Sequence, residues 1–283
     1  MKLEIPHFET EKEKFDFLIK NKTVLENQKR SSLKEADGIS AFPITIKYIG
    51  ADGVAKASND EDKTELNVKA IINTTDIMDS HSDVHIKGLW NKSLRENKRI
   101  LHVQEHKSNQ FDKIISSGED LKASTKTYTW KSLGVDIEGS TQALVFDSVV
   151  KESRNKYMFD QYDKGYVDNH SVGMRYVKLA MAINSDDYPE EKAIWDKYYE
   201  QIINKSDVDA QKYFWAVTEA KVVEGSAVPM GSNPITPTVR VKNEEPTLLE
   251  MIDKMVTLEE KAASSTFDIM STISKTKFNL KHS

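Results

Sequence analysis

The sequence predicts an α+β fold: a body of strands with helices beside it and a helical arm at each end. Two observations carry this. Between residues 42 and 228 the chain passes repeatedly through extended runs rich in Val, Ile, Thr and aromatic residues, the side chains that suit a pleated, half-buried surface. Outside that body, residues 8–35 and 247–273 space their apolar side chains at helical intervals among many charged ones. The 283-residue chain therefore divides into an N-terminal helical arm at 1–36, a main domain at 37–242 and a C-terminal helical tail at 243–283.

In order, the arm places Phe15, Leu18, Ile19, Val24 and Leu25 near helical spacing, and Asp37-Gly38 breaks it. It reads either as a solvated cap on the main domain or as a removable, partner-binding segment. Residues 42–49 alternate as a strand, a polar loop follows from Gly50, and residues 66–74 return as a strand. A short helix at 90–97 delivers the chain into a strand that ends at His106. Extended runs at 112–130 and 141–150 precede a polar helix at 151–164 that contains Tyr157, Met158 and Tyr162. The next strand begins near Asn169 and continues through Tyr176, Val177, Leu179 and Met181. A helical insertion at 186–209 carries Ile194, Trp195, Tyr198, Ile202 and Ile203 on one side, as expected of a helix packed on a sheet; residues 213–228 are again a strand. In the tail, Thr247 and Glu250 have capping-box spacing, and Leu248, Ile252, Met255, Phe267 and Met270 make an amphipathic stripe suited to oligomerisation or partner binding.

Composition narrows the function classes. Cysteine is absent, which removes a disulfide framework and any thiolate metal site. A net charge of −5 and a pI near 5.9 oppose a general nucleic-acid binder. No apolar run approaches the roughly 20 residues that span a bilayer, and the first residues lack the apolar centre of a signal peptide. The expectation is a soluble protein retained in the cell that makes it, with neither membrane nor nucleic acid as partner.

The candidate chemistry lies in three extended segments. In the strand from Asn169, alternation puts Asn169, Ser171 and Gly173 on one face and His170, Val172 and Met174 on the other, so His170 points away from Ser171. Gly173 leaves space beside Ser171 for a substrate backbone. Upstream, His102, Gln104 and His106 share a face; downstream, Glu224, Ser226 and Val228 align. A serine hydroxyl is a weak nucleophile until an imidazole takes its proton and a third polar group holds the ring. Ser171, His106 and Glu224 are residues of those three types. A competing pattern is metal: His102, Glu105 and His106 fit the H-x-x-E-H spacing of inverted zinc peptidases, and His81, Asp83 and His85 also have ligand-like spacing. The zinc pattern needs a helix, whereas the flanks of His102 read as strand.

Four segments, in this order and spacing, resemble the prohead (capsid maturation) proteases of tailed bacteriophages, which are related in fold to herpesvirus assemblins. They are the run from Asp79 through Asp83 and Gly88 to Trp90; the strand from Leu101 to His106; the helix at 151–164 leading to Ser171, Val172, Gly173 and Met174; and Glu224, Ser226 and Val228 followed by Ser232, Asn233 and Pro234. The resemblance covers about residues 66–237. It departs at Lys107, where the family often has Asp, at Ser82, where it has Gly, and in the longer insertion at 186–209.

The resemblance implies a small, mostly antiparallel β-barrel with surrounding helices, Ser171 as nucleophile and His106 as general base. Glu224 is our choice for the third member, although a second histidine has that place in the herpesvirus relatives. It also implies a serine endopeptidase without metal or cofactor, acting in the host cytoplasm inside the immature capsid. Its substrates would be the scaffold, the major capsid protein and the protease itself, and it would self-associate. The arms would contact scaffold and be removed on activation. The alternative from another class is an assembly or scaffolding protein of the same fold without activity, suggested by the helical tail and the altered neighbours of His106.

Overall fold

The computed structural model describes residues 3–33, 63–97 and 99–242; the strand read at 42–49 and the tail at 243–283 lie outside the described residues. Among the described residues there are two sheets, mostly antiparallel, and six α-helices, the α+β class expected; these strands do not close into a barrel.

One sheet is built on a single long strand, β8 (Tyr213–Ala227). Along one edge it pairs antiparallel with β7 (His170–Ile183), from Ile183 opposite Tyr213 to His170 opposite Ala227. Its other edge is divided between two short parallel partners, β2 (Asp83–His85) near its start and β3 (Leu101–Gln104) near its end. β4 (Ile114–Ser117) lies antiparallel outside β3. The second sheet has the order β5 (Leu121–Thr129), β6 (Ser140–Lys151), β1 (Glu65–Thr74), β9 (Thr238–Lys242), all antiparallel.

A common core holds the sheets together. Leu66, Val68, Ala70 and Ile72 of β1 and Leu144, Phe146 and Val150 of β6 join Val172 and Met174 of β7 and Val217 and Val222 of β8 in one buried cluster. The layers press close at Gly225, where a Cβ would lie 2.5 Å from the Phe146 ring and 2.9 Å from Ile72. Only a residue without a side chain fits there.

The short α3 (Asn91–Glu96) lies between β2 and β3 in the chain; the other helices are placed by their apolar faces. α4 (Lys156–Asp163) is capped by Asn155, whose side chain accepts from the Met158 amide, and buries Met158, Phe159 and Tyr162 before the chain enters β7. The insertion forms two helices, α5 (Pro189–Tyr198) and α6 (Lys205–Gln211), whose Trp195 and Val208 cluster with Ile202, Phe214 and Ala216. It packs on the sheet as expected.

The N-terminal arm is a cap on the main domain. Its predicted single helix is two, α1 (Glu11–Lys20), opened by a Thr10–Glu13 capping box, and α2 (Lys22–Ser31), with Asn21 at the break. Phe15, Leu18 and Leu25 lie in the same buried cluster as the sheets, whereas Val24 is half exposed. Burying one such leucine stabilises by about 1.5–3 kcal/mol. Polar contacts add direction: Lys22 meets Glu191 at 2.6 Å, Lys29 meets the fully buried Asp83 at 2.6 Å, and the Tyr188 hydroxyl donates to Asp16 at 2.6 Å.

Candidate active site

β8 presents Glu224 and Ser226 on the face away from the Phe146 core, because Gly225 between them faces Phe146. β7 continues that face. Ser171 stands directly opposite Ser226, and Gly173 directly opposite Glu224. Such partners have Cα atoms about 4.5–5.5 Å apart.

Glu224 does not project past its neighbour but lies across it: a Cβ on Gly173 would fall 1.9 Å from Glu224 Oε1 and 2.6 Å from its Cδ. The space expected beside Ser171 for a substrate backbone is thus taken up by this carboxylate. Glu224 is fully buried, and its Oε1 meets His106 Nδ1 at 2.6 Å, with the His106 side chain only 7% exposed. A carboxylate only accepts, so Nδ1 carries the proton and the basic lone pair belongs to Nε2.

His106 reaches this face by a local departure from the strand. Expected to share a face with His102, it does not. Glu105 and His106 both have positive φ, 50° and 56°, and the Lys107 amide donates to the Gln104 carbonyl at 3.0 Å, closing a tight turn. Non-glycine residues in this region cost of order 1–3 kcal/mol each, and persist only where the surroundings hold them. Here Ser226 does so. Its hydroxyl accepts from the His106 amide at 2.7 Å and donates to the Val103 carbonyl at 3.2 Å, while the Glu105 amide donates to the Ala227 carbonyl at 3.0 Å. The end of β3 is thereby fixed to the residue facing Ser171.

His102, by contrast, faces the core. Its Nδ1 meets Ser148 Oγ at 2.9 Å and its Nε2 meets the Tyr162 hydroxyl at 3.0 Å. Both ring nitrogens are engaged, and His102 lies on a strand with Glu105 and His106 in a turn, so the helical zinc geometry of the H-x-x-E-H pattern is not formed. His170 also points into the core, as strand alternation predicts. Among the described residues no hydrogen bond reaches the Ser171 hydroxyl, which is nearly buried at 3% exposure. The structure therefore brings His106 and Glu224 into contact and puts Ser171 on the same face, with the serine–imidazole bond not closed. Such bonds commonly tighten only around substrate.

Of the second ligand-like set, His81, Asp83 and His85, the structure brings together the last two, with Asp79 in place of His81: ligand atoms of Asp79, Asp83 and His85 lie within 4.8 Å of one another. Asp79 Oδ1 accepts from the amides of His81 at 2.9 Å and Asp83 at 3.1 Å, and His85 Nδ1 meets Asn73 Nδ2 at 2.7 Å. Asp83 takes the Lys29 ammonium and the Tyr176 hydroxyl; burial and then the Asp83 charge hold that hydroxyl well above the usual tyrosine range.

The sequence aligns Ser226 with Glu224 but gives it no role; the signal for one is that serine two residues along the same strand face. Glu105, read as part of the zinc pattern, is instead a left-handed turn residue that nothing local marks. No known family model matches the chain, and neither a curated protein nor a solved structure matches it.

Proposed function

We propose that this protein is a serine endopeptidase of phage prohead maturation, with Ser171 as nucleophile, His106 as general base and Glu224 as the group that holds the ring. The observation that carries this is the 2.6 Å contact of His106 Nδ1 with the buried Glu224 carboxylate on the face that bears Ser171. In this reading Ser171 Oγ attacks the scissile carbonyl carbon as its proton passes to His106 Nε2, and Glu224 stabilises the resulting imidazolium through Nδ1–H. Collapse of the tetrahedral intermediate breaks the C–N bond, and the imidazolium proton goes to the leaving amine. Water then repeats the sequence on the acyl-enzyme, releasing the carboxylic acid and restoring Ser171.

The family resemblance supplies the rest: scaffold, major capsid protein and the chain itself as substrates, self-association, and action inside the immature capsid. A fluorophosphonate probe tests the site. It should label Ser171 in the wild type and not in His106→Ala. A second reading, an assembly protein of the same fold without activity, is favoured by the Ser171 hydroxyl's lack of a hydrogen bond among the described residues. Absence of labelling together with normal capsid assembly would select it.

A further inference from the structure

Behind the strand that carries Ser171 runs a buried chain of polar side chains that the triad does not use. Ser116 Oγ meets Ser148 Oγ; Ser148 Oγ meets His102 Nδ1 at 2.9 Å; His102 Nε2 meets the Tyr162 hydroxyl at 3.0 Å; that hydroxyl meets His170 Nε2 at 3.0 Å; and His170 Nδ1 meets the Thr236 carbonyl at 2.8 Å. Ser116, His102 and His170 are fully buried, and Tyr162 and Ser148 nearly so.

The last link determines all the others. A backbone carbonyl only accepts, so His170 Nδ1 must carry a proton. Burial holds His170 at about 4 and His102 well below the usual histidine range, so both rings are neutral at pH 7 and each carries one proton. His170 Nε2 is then an acceptor and takes the Tyr162 proton. The tyrosine oxygen, its only proton spent, accepts from His102 Nε2–H. His102 Nδ1 in turn accepts from Ser148, and Ser148 from Ser116. Every donor points towards Thr236, and no link can be reversed alone without opposing two protons or two lone pairs among buried groups.

The receiving end lies beside Ser171. Thr236 clasps His170 three ways: its carbonyl takes the ring, its Oγ1 accepts from the His170 amide at 3.1 Å and donates to the His170 carbonyl at 2.7 Å. The same loop is tied to Asn169, whose Oδ1 accepts from the Gly231 amide at 3.0 Å. We infer that Tyr162, set between His102 and His170, is a positioning residue that fixes the start of β7, and with it Ser171, through a hydrogen-bond chain of single polarity ending at Thr236. The catalytic meaning of this rests on the protease reading above; the chain and its polarity do not.

Long-range proton–nitrogen NMR of histidine-labelled full-length protein separates the two. The wild type should show His170 as the Nδ1–H tautomer and His102 as the Nε2–H tautomer; either ring in the other form overturns the chain. Tyr162→Phe removes the acceptor for His102 Nε2–H, so His102 should change to Nδ1–H, donating to Ser148, while His170 stays as it was. Amides 170–173 should exchange about tenfold faster, the effect of one buried hydrogen bond lost. Leu18→Ala, in the arm, serves as a variant that loses stability without altering any member of the chain, and should leave those amides slow once global unfolding is subtracted. Equal exchange in the two variants overturns the positioning role. If Tyr162→Phe does not fold, Ser148→Ala cuts the chain one link further off and should give the same localised exchange. Fluorophosphonate labelling of the same samples separates the two ideas: expected tautomers and exchange with an unlabelled wild type leave the positioning chain standing and remove Ser171 as nucleophile.

Discussion

Replacing Gly173 with alanine tests how the site is held without replacing any proposed catalytic side chain. The new Cβ would lie 1.9 Å from Glu224 Oε1, 2.6 Å from Cδ and 2.9 Å from Cγ. Ordinary contact begins near 3.5 Å, so the carboxylate must retreat by about 1.5 Å. A displacement of that size from a 2.6 Å bond leaves no hydrogen bond to His106 Nδ1. The end of a side chain gives way more cheaply than backbone, so the stability cost should stay at about 1–3 kcal/mol, the usual penalty for overpacking. The chemical cost should be far larger. Losing the orienting carboxylate of a serine triad lowers turnover by about 10⁴-fold in the best-studied case, and Gly173→Ala should approach Glu224→Gln in its rate of fluorophosphonate labelling. The double variant should be no slower than Glu224→Gln alone, because both changes remove one contact. Labelling of Gly173→Ala at the wild-type rate, with the fold intact by circular dichroism, would refute the claim that Glu224 orients His106 across this glycine.

Other consequences are as direct. Lys29→Met keeps an unbranched side chain but removes the ammonium from the fully buried Asp83 and from over the Tyr176 and Trp215 rings, and should lower unfolding stability by about 3 kcal/mol in urea titration; an unchanged midpoint would show the arm to be held by apolar burial alone. Ser226→Ala deprives the His106 amide and the Val103 carbonyl of their partner, and should destabilise by about 1–3 kcal/mol while slowing labelling of Ser171; full labelling would mean that the left-handed turn holds itself. Stability should also fall on mild acidification. The folded His170 pKa, about 4, lies below the unfolded value of 6.5, so its contribution is complete above pH 6.5 and is lost as pH falls towards 4, about 2 kcal/mol by pH 5. His102 is shifted the same way and adds to the loss. Unfolding free energies that stay flat between pH 7.5 and 5 would contradict neutral, buried imidazoles.

What could be read from the residues alone was the part governed by alternation. The strand faces at Ser171, Gly173, Glu224 and Ser226 follow from a period of two, and the packing of the 186–209 insertion follows from apolar spacing; the polar helix read at 151–164 forms only over Lys156–Asp163, because β6 runs on to Lys151. The misassigned parts depend on distant partners. His106 leaves the face of His102 because Glu105 and His106 turn left-handed, and what stabilises that turn is Ser226 and Ala227, more than a hundred residues away. Gly173 looked like an opening because nothing nearby in sequence fills it; Glu224 does, from the neighbouring strand. The sharing of one edge of β8 by β2 and β3, both parallel, is likewise a long-range pairing without a local signature. The single helix expected for the arm breaks at Asn21, although its buried face was legible at Phe15, Leu18 and Leu25. Tyr162 reads from sequence only as a member of a polar helix; the role of its hydroxyl depends on His102 and His170 on either side of it.

The central claim is that Ser171, His106 and Glu224 cut peptide bonds. Intact-mass spectrometry of wild type, Ser171→Ala and His106→Ala, each incubated at neutral pH with scaffold and major capsid protein, tests it most directly. The account predicts that wild type alone trims its own chain or those substrates, with or without a chelator. Cleavage by Ser171→Ala at the wild-type rate, or wild type and substrates all at unchanged mass, would contradict it.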